Sequence, residues 1–153
     1  MNTSASIPFR IGVFLIGYLI AAAVAALAYT SLIAISAQII GVEAPSDMTG
    51  PEQTRMFFGF AVIVGVFVLT TSFLPAVAAV LLLWLVGLRD IVSHMVAGAA
   101  VSAAAVLITA RYIPFMDELT LNWAIALSGA IGGGAFWAVQ RKLLPRSSTS
   151  PAP

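Results

Sequence analysis

The sequence predicts an all-α membrane protein, a bundle of four transmembrane helices with both termini in the cytoplasm. Of its 153 residues, 61% are hydrophobic and 8% are charged, whereas a soluble domain carries roughly 25% charged residues. The charged side chains leave four uncharged runs, each long enough to cross a hydrocarbon core about 30 Å thick. These runs lack the two-residue alternation of barrel strands, so we expect helices. Their predicted bounds are 8–41, 51–88, 91–111 and 119–143.

The first helix, 8–41, is predicted to begin just after Ser6, because Pro8 is tolerated in a first helical turn. Its apolar character continues through Ile40. That run is far longer than the 7–15 apolar residues of a cleaved signal peptide, so we expect the segment to be retained as a membrane span.

The second helix, 51–88, begins at a capping-box spacing, Thr49 followed by Glu52. At 1.5 Å per residue it would be roughly 57 Å long, about twice the hydrocarbon thickness. Pro75 cannot donate a hydrogen bond to the Thr71 carbonyl, so we predict a kink there, with neighbouring hydroxyls serving the freed backbone groups. A packed structural kink and a gating hinge both remain open.

The third helix, 91–111, and the fourth, 119–143, are shorter and rich in small residues. Small residues let helix backbones approach closely, which is a main source of packing energy in lipid. The fourth helix also carries a GxxxG pattern at Gly129 and Gly133. These small-residue faces are expected to pack against another helix of the same chain or against a second copy or partner protein. The predicted helix-packing interface comprises Gly98, Ser102, Ala124, Ser128, Gly129, Gly132 and Gly133.

The basic residues determine the predicted orientation. Five of the seven fall on the side shared by both termini and the turn between helices 2 and 3, which the positive-inside rule places in the cytoplasm. These five are Arg10, Arg89, Arg141, Lys142 and Arg146. Only Arg55 and Arg111 fall on the opposite side. Residues 146–153 are polar, with nothing apolar to bury, and are predicted to be a disordered cytoplasmic tail.

The sequence contains few residues that could form a catalytic or metal-binding motif. The only histidine, His94, lies four residues after Asp90, so the two side chains are predicted to meet as an interfacial pair. A pH-sensitive role for this pair is the alternative. One histidine without cysteine does not make a usual zinc site. We therefore expect no metal, no cofactor and no enzymatic activity. The net charge of +1 also gives no field to attract nucleic acid.

The stretch from Gly129 to Arg141, with its glycine run and Trp137, resembles the C-terminal end of small uncharacterised four-helix proteins of bacterial inner membranes. The Ala-rich third helix shares the resemblance. It implies a compartment, the bacterial cell inner membrane, and no particular activity.

Two functions are expected from this sequence. The first is a non-catalytic accessory, assembly or scaffolding subunit that associates with itself or another membrane protein through its small-residue helix faces. The alternative is a transporter or channel component for a neutral or lipophilic solute. The lipid bilayer is the expected environment in both cases.

Overall fold

A computed structural model of the protein describes residues 6–39, 49–110 and 123–144. These residues form five α-helices and no strand. The helices are α1 (Ile7–Ile39), α2 (Gly50–Thr71), α3 (Phe73–Val86), α4 (Ile91–Ala110) and α5 (Trp123–Leu143). The predicted all-helical class is confirmed, but the predicted count of four helices is wrong.

The difference in count arises in the second predicted helix, which is divided at Ser72 into α2 and α3. Ser72 has φ −93° and ψ −2°, well away from the helical ψ of about −42°. Pro75 is the physical reason, because it has no N–H for the Thr71 carbonyl and its ring crowds that carbonyl. Backbone hydrogen bonding resumes one residue later, where the Ala76 N–H donates to the Ser72 carbonyl at 2.8 Å.

The other predicted helices correspond to α1, α4 and α5 with small shifts at their ends. Residues 40–41 of the first prediction, 111 of the third and 119–122 of the fourth lie outside the described residues, as does the predicted tail, 146–153. At its start, α2 shows the predicted capping residues in contact. The Thr49 N–H donates to a Glu52 carboxylate oxygen at 2.9 Å.

The helices form a ring of four rods, with α2 and α3 together making one kinked rod. Helix α5 packs along α1 on one side and along α4 on the other. The kinked rod closes the ring, since α2 packs on α1 and α3 packs on α4. Rods at opposite corners, α1 with α4 and α5 with the kinked rod, do not pack directly within the described ranges. Space therefore remains at the centre of the ring.

Two helices are long and apolar enough to cross a membrane, one at Ile7–Ile35 and the other at Gly50–Thr71. Two shorter helical segments, Phe73–Val86 and Ile91–Leu107, are also apolar. Large apolar side chains cover the outside of the ring. Leu74 of α3 is 77% exposed and Ile63 of α2 is 68% exposed. The buried residues are mostly small, including Ala22, Ala26 and Ala124.

Candidate functional site: a central cavity beside a helix kink

Glycines bring α4 and α5 into backbone contact. A Cβ added at Gly98 would overlap the Gly129 carbonyl oxygen and lie 3.0 Å from the Gly133 Cα. A Cβ at Gly129 would overlap the Ser102 side chain, and one at Gly133 would overlap the His94 carbonyl oxygen. Four residues of the predicted packing interface, Gly98, Ser102, Gly129 and Gly133, thus lie together between two helices of the same chain.

The other residues of the predicted interface lie deeper in the bundle. Gly132 faces α1, where an added Cβ would come 3.0 Å from the Ala21 carbonyl oxygen. Ala124 is fully buried. Ser128 is also buried, and its hydroxyl donates to the Ile125 carbonyl of its own helix at 2.9 Å. Helix α5 is therefore packed closely on two sides by its own chain.

The kink is held from across the ring by Tyr18 of α1. Its hydroxyl donates to the Leu69 carbonyl at 2.9 Å and lies 3.2 Å from the Ser72 hydroxyl. The Ser72 hydroxyl itself donates to the Val68 carbonyl at 2.5 Å. A buried tyrosine hydroxyl needs a partner, and the irregular backbone at the kink supplies one.

The predicted hydroxyls beside the kink donate to carbonyls further back in α2. Thr70 donates to the Val66 and Phe67 carbonyls at 3.0 Å, and Thr71 donates to the Phe67 carbonyl at 2.8 Å. Side-chain hydrogen bonds to a carbonyl four residues earlier bend helices. The predicted kink residues Thr71 and Pro75 thus lie on either side of the interruption at Ser72. The hydroxyls of Thr70 and Thr71 bond to carbonyls one turn earlier in α2.

Asp90 and His94 approach each other, though through different atoms from those predicted. The Asp90 carboxylate accepts from the Ser93 hydroxyl at 2.7 Å and from the Ser93 N–H at 2.8 Å, which caps the start of α4. These two hydrogen bonds hold the pKa of Asp90 below its usual range. The His94 Nδ1 lies 2.9 Å from the main-chain carbonyl oxygen of Asp90.

Trp137 ties α5 to the turn between α3 and α4. Its indole N–H donates to the Arg89 carbonyl at 2.9 Å, and the Arg141 guanidinium lies 4.9 Å from the centre of its ring. This arrangement groups Arg89, Arg141 and Lys142 at one end of the bundle. Indole is well suited to the position, because its ring is apolar and its N–H is a single donor.

The space at the centre of the ring is a cavity of about 90 Å³, partly open to the outside and lined by all five helices. Four aromatic rings form one wall, in the order His94, Phe136, Phe14 and Tyr18, with neighbouring ring centres 5.8–6.2 Å apart. Small residues such as Ala25 and Ala79 line much of the remainder. No Lys, Arg, Asp or Glu is among the lining residues, so the cavity suits a neutral occupant.

The described residues that line the cavity offer hydrogen-bonding groups and an apolar surface. Within residues 6–39, 49–110 and 123–144, no three His, Cys, Asp or Glu side chains come close enough to hold a metal ion. Ser72 and Tyr18 bond to backbone carbonyls and to each other, and neither bonds to the imidazole. A catalytic hydroxyl would need such a base within hydrogen-bond reach.

Sequence reasoning did not select Tyr18, Phe14, Phe136 or the role of Trp137. A signal for Tyr18 exists, since a tyrosine in the middle of an apolar helix must bond its hydroxyl and the kink frees backbone acceptors. Phe14 and Tyr18 are also four residues apart and share a face of α1. Their contacts with α3 and α5 depend on tertiary packing.

In the part of the chain that the structure describes, the fold is all-helical, and two of its helices are long and apolar enough to cross a membrane. No protein-family model matches the chain, and no curated protein or solved structure matches it.

Proposed function

We propose that the chain is a multi-pass protein of a bacterial inner membrane with both termini in the cytoplasm, and that it acts as a non-catalytic accessory or assembly subunit. Its four rods would be the spans, with α2 and α3 forming one kinked span. The resemblance of the Gly129 to Arg141 stretch to small inner-membrane proteins supports the compartment. The basic residues at one end of the bundle and the apolar side chains on its outside support a membrane-spanning arrangement.

The register of the helices supports one orientation. Gly17 of α1 lies against Phe136 and Val139 of α5, while Ala21 and Ala25 lie against Gly132, so the two helices are antiparallel. Arg10 therefore lies toward the same end as Arg141. Arg89 joins them through Trp137. Helix α2 runs antiparallel to α1 as well, since Gly65 lies near Ala26 while Leu69 bonds to Tyr18, so Arg55 lies toward the opposite end. A basic end is typical of the cytoplasmic side.

The observation that carries the accessory role is the exposure of α2. Only Ala61 is buried in this helix, although Gly50–Thr71 is long and apolar enough to span a membrane. Gly59 lies between exposed Phe58 and Phe60, and a Cβ there would meet nothing within 4 Å. In lipid, helices associate by close packing, which a glycine between large side chains permits. The outer face of α2 is the proposed association surface, because the small-residue rows of α4 and α5 pack within the chain.

The orientation can be tested by single-cysteine labelling, because the chain contains no cysteine of its own. Cysteines replacing Ser6, Thr49 and Leu88 would be exposed at helix ends. We expect a membrane-impermeant maleimide to label position 49 in intact cells, and positions 6 and 88 only after the inner membrane is opened. Labelling of all three positions on one side would contradict the multi-pass arrangement.

The accessory role can be tested by intact-complex mass measurement in a gentle detergent. We expect a complex in which the chain is bound to itself or to another membrane protein, and we expect Gly59→Ile to reduce it at least tenfold. Gly12→Ile is the matched control, because Gly12 also has open space around it but lies on α1. A lone monomer under every condition, or equal losses in the two variants, would count against the role.

A further inference from the structure

Several polar side chains in the bundle, such as those of Thr30, Ser72 and Ser128, donate to main-chain carbonyls, whereas His94 retains one nitrogen without such a bond. Its Nδ1 lies 2.9 Å from the Asp90 carbonyl oxygen, which can only accept. Nδ1 must therefore carry the proton, and in a neutral imidazole Nε2 is left as an acceptor. The tautomer is therefore assigned from the hydrogen bond to the Asp90 carbonyl oxygen.

The His94 Nε2 has no hydrogen-bond donor from the part of the chain that the structure describes. His94 is only 7% exposed as a residue. Within the described residues, however, no side-chain nitrogen or oxygen is both fully buried and without a hydrogen-bond partner, so the unpartnered Nε2 is not fully buried. Nε2 is therefore reachable by a molecule about the size of water. His94 also lines the central cavity, so an occupant of the cavity would lie beside this residue.

The rest of the cavity determines the kind of occupant. Phe14, Phe136 and Tyr18 continue the aromatic wall beyond His94, which favours a flat apolar body. A charged molecule would be costly to bury there, since no Lys, Arg, Asp or Glu lines the space to pair with it. The volume of about 90 Å³ is somewhat smaller than the roughly 150 Å³ apolar cavity that admits benzene, and this cavity is partly open. A single small ring is thus the upper size without expansion.

We propose that the central cavity is a binding site for a small neutral molecule with a flat apolar body and one hydroxyl or N–H group that donates to His94 Nε2. The site does not depend on the accessory role, because its cavity lies inside one chain. Binding involves no covalent step. The imidazole accepts one hydrogen bond, and the aromatic wall contacts the apolar body.

The experiment uses the full chain in detergent with its single histidine labelled with ¹⁵N, so that one residue reports. The probes are phenol and toluene, which share a shape but differ in a hydroxyl donor. At about pH 8, ordinary imidazole and phenol are both neutral. We expect the free protein to show protonated Nδ1 and unprotonated Nε2. Phenol should shift the Nε2 signal saturably, and toluene should not.

Two α3 variants make the location testable. Ala79 lines the cavity, whereas its neighbour Ala78 is exposed. Ala79→Leu should weaken phenol binding at least tenfold, and Ala78→Leu should leave it unchanged, with helical content checked by circular dichroism for both. The proposal is overturned by a protonated Nε2 in the free protein, by equal shifts with toluene, by a non-saturating phenol response, or by equal affinity in the two variants. If Ala79→Leu does not fold, the smaller change Ala79→Val at the same lining position replaces it and should weaken phenol binding at least threefold, whereas Ala78→Val should not.

Discussion

Individual residues in this protein act either by having no side chain at a close helix contact or by making one or two specific hydrogen bonds. Gly98, Gly129 and Gly133 lack a side chain where two backbones meet. Tyr18 donates one hydrogen bond to the kink, and Asp90 accepts two from Ser93. Each of these effects is local enough to be tested by one substitution.

Gly98→Ala is expected to destabilise the protein. The new Cβ would overlap the Gly129 carbonyl oxygen, which belongs to backbone and cannot turn away. Overpacking of this kind costs about 1–3 kcal/mol. Gly12→Ala is the matched control, since its Cβ meets nothing within 4 Å, it lies away from the proposed association surface on α2, and alanine is the better helix former. Unfolding by an increasing fraction of denaturing detergent should have a lower midpoint in Gly98→Ala than in the control. Equal midpoints in the two variants would contradict the close contact of α4 with α5.

Asp90 is expected to stabilise α4 in a pH-dependent manner. Its pKa is lowered in the folded protein, so its contribution is present above the ordinary aspartate pKa and is lost as the pH falls through the folded value. Thermal unfolding should therefore show the native protein more stable than Asp90→Ala at neutral pH, with the difference narrowing at acidic pH as the carboxylate is protonated. Asp90→Asn keeps an acceptor at both pH values. If the difference in thermal stability between the native protein and Asp90→Ala does not change with pH, the negative charge of Asp90 does not contribute to the cap.

At the scale of elements, the kink between α2 and α3 organises the rod that closes the bundle. Pro75 removes one backbone hydrogen bond, and Thr70, Thr71 and Ser72 bend the preceding turn. Tyr18 then ties the interruption to α1. The bend and its partner lie beside the cavity, so the shape of the rod affects the space at the centre.

Pro75→Ala should straighten this rod by restoring an N–H for the Thr71 carbonyl. Spin labels on cysteines at Val62 and Leu82, both exposed, would measure the change. Twenty residues of straight helix rise about 30 Å, and we expect the label distance to increase toward that value. Pro51→Ala is the control, because Pro51 lies in the first turn of α2, where proline is tolerated. An unchanged distance in Pro75→Ala would assign the bend to the hydroxyls and Tyr18.

At the scale of the whole molecule, the ring order decides which surfaces remain free. Helix α5 lies between α1 and α4 and carries the closest contacts. Its glycines are therefore used inside the chain. Helix α2 contacts mainly α1, which leaves its outer face available for lipid or a partner.

The neighbour order can be checked by cross-linking within one chain. A Cβ at Gly17 would lie 3.7 Å from the Val139 side chain, so cysteines at 17 and 139 should form a disulfide under mild oxidation. Cysteines at Leu19, which is exposed, and at 139 should not. The product should migrate as a monomer in denaturing gels. A cross-linked dimer, or equal reaction of the two pairs, would argue against the α1–α5 contact.

Much of the secondary structure could be predicted, because it depends on local properties of the chain. The long uncharged runs indicated helices, Thr49 and Glu52 marked the start of α2, and Pro75 marked the bend. The count was wrong because periodicity does not reveal whether a proline bends a helix or divides it. Asp90 and His94 were correctly placed within one turn, but the competition of Ser93 for the carboxylate was not visible in their spacing.

The sequence by itself determined that the chain is helical and apolar, with its charges at helix ends, since these properties follow from composition and from the order of residues along one helix. Only the tertiary structure decided which helices are neighbours, that the glycine rows pack within the chain, and that Tyr18 bonds to the kink. It also determined the position of the cavity and placed His94 in its lining. The physical reason is that those contacts join residues far apart in the chain, and their distances are determined by how four rods pack together.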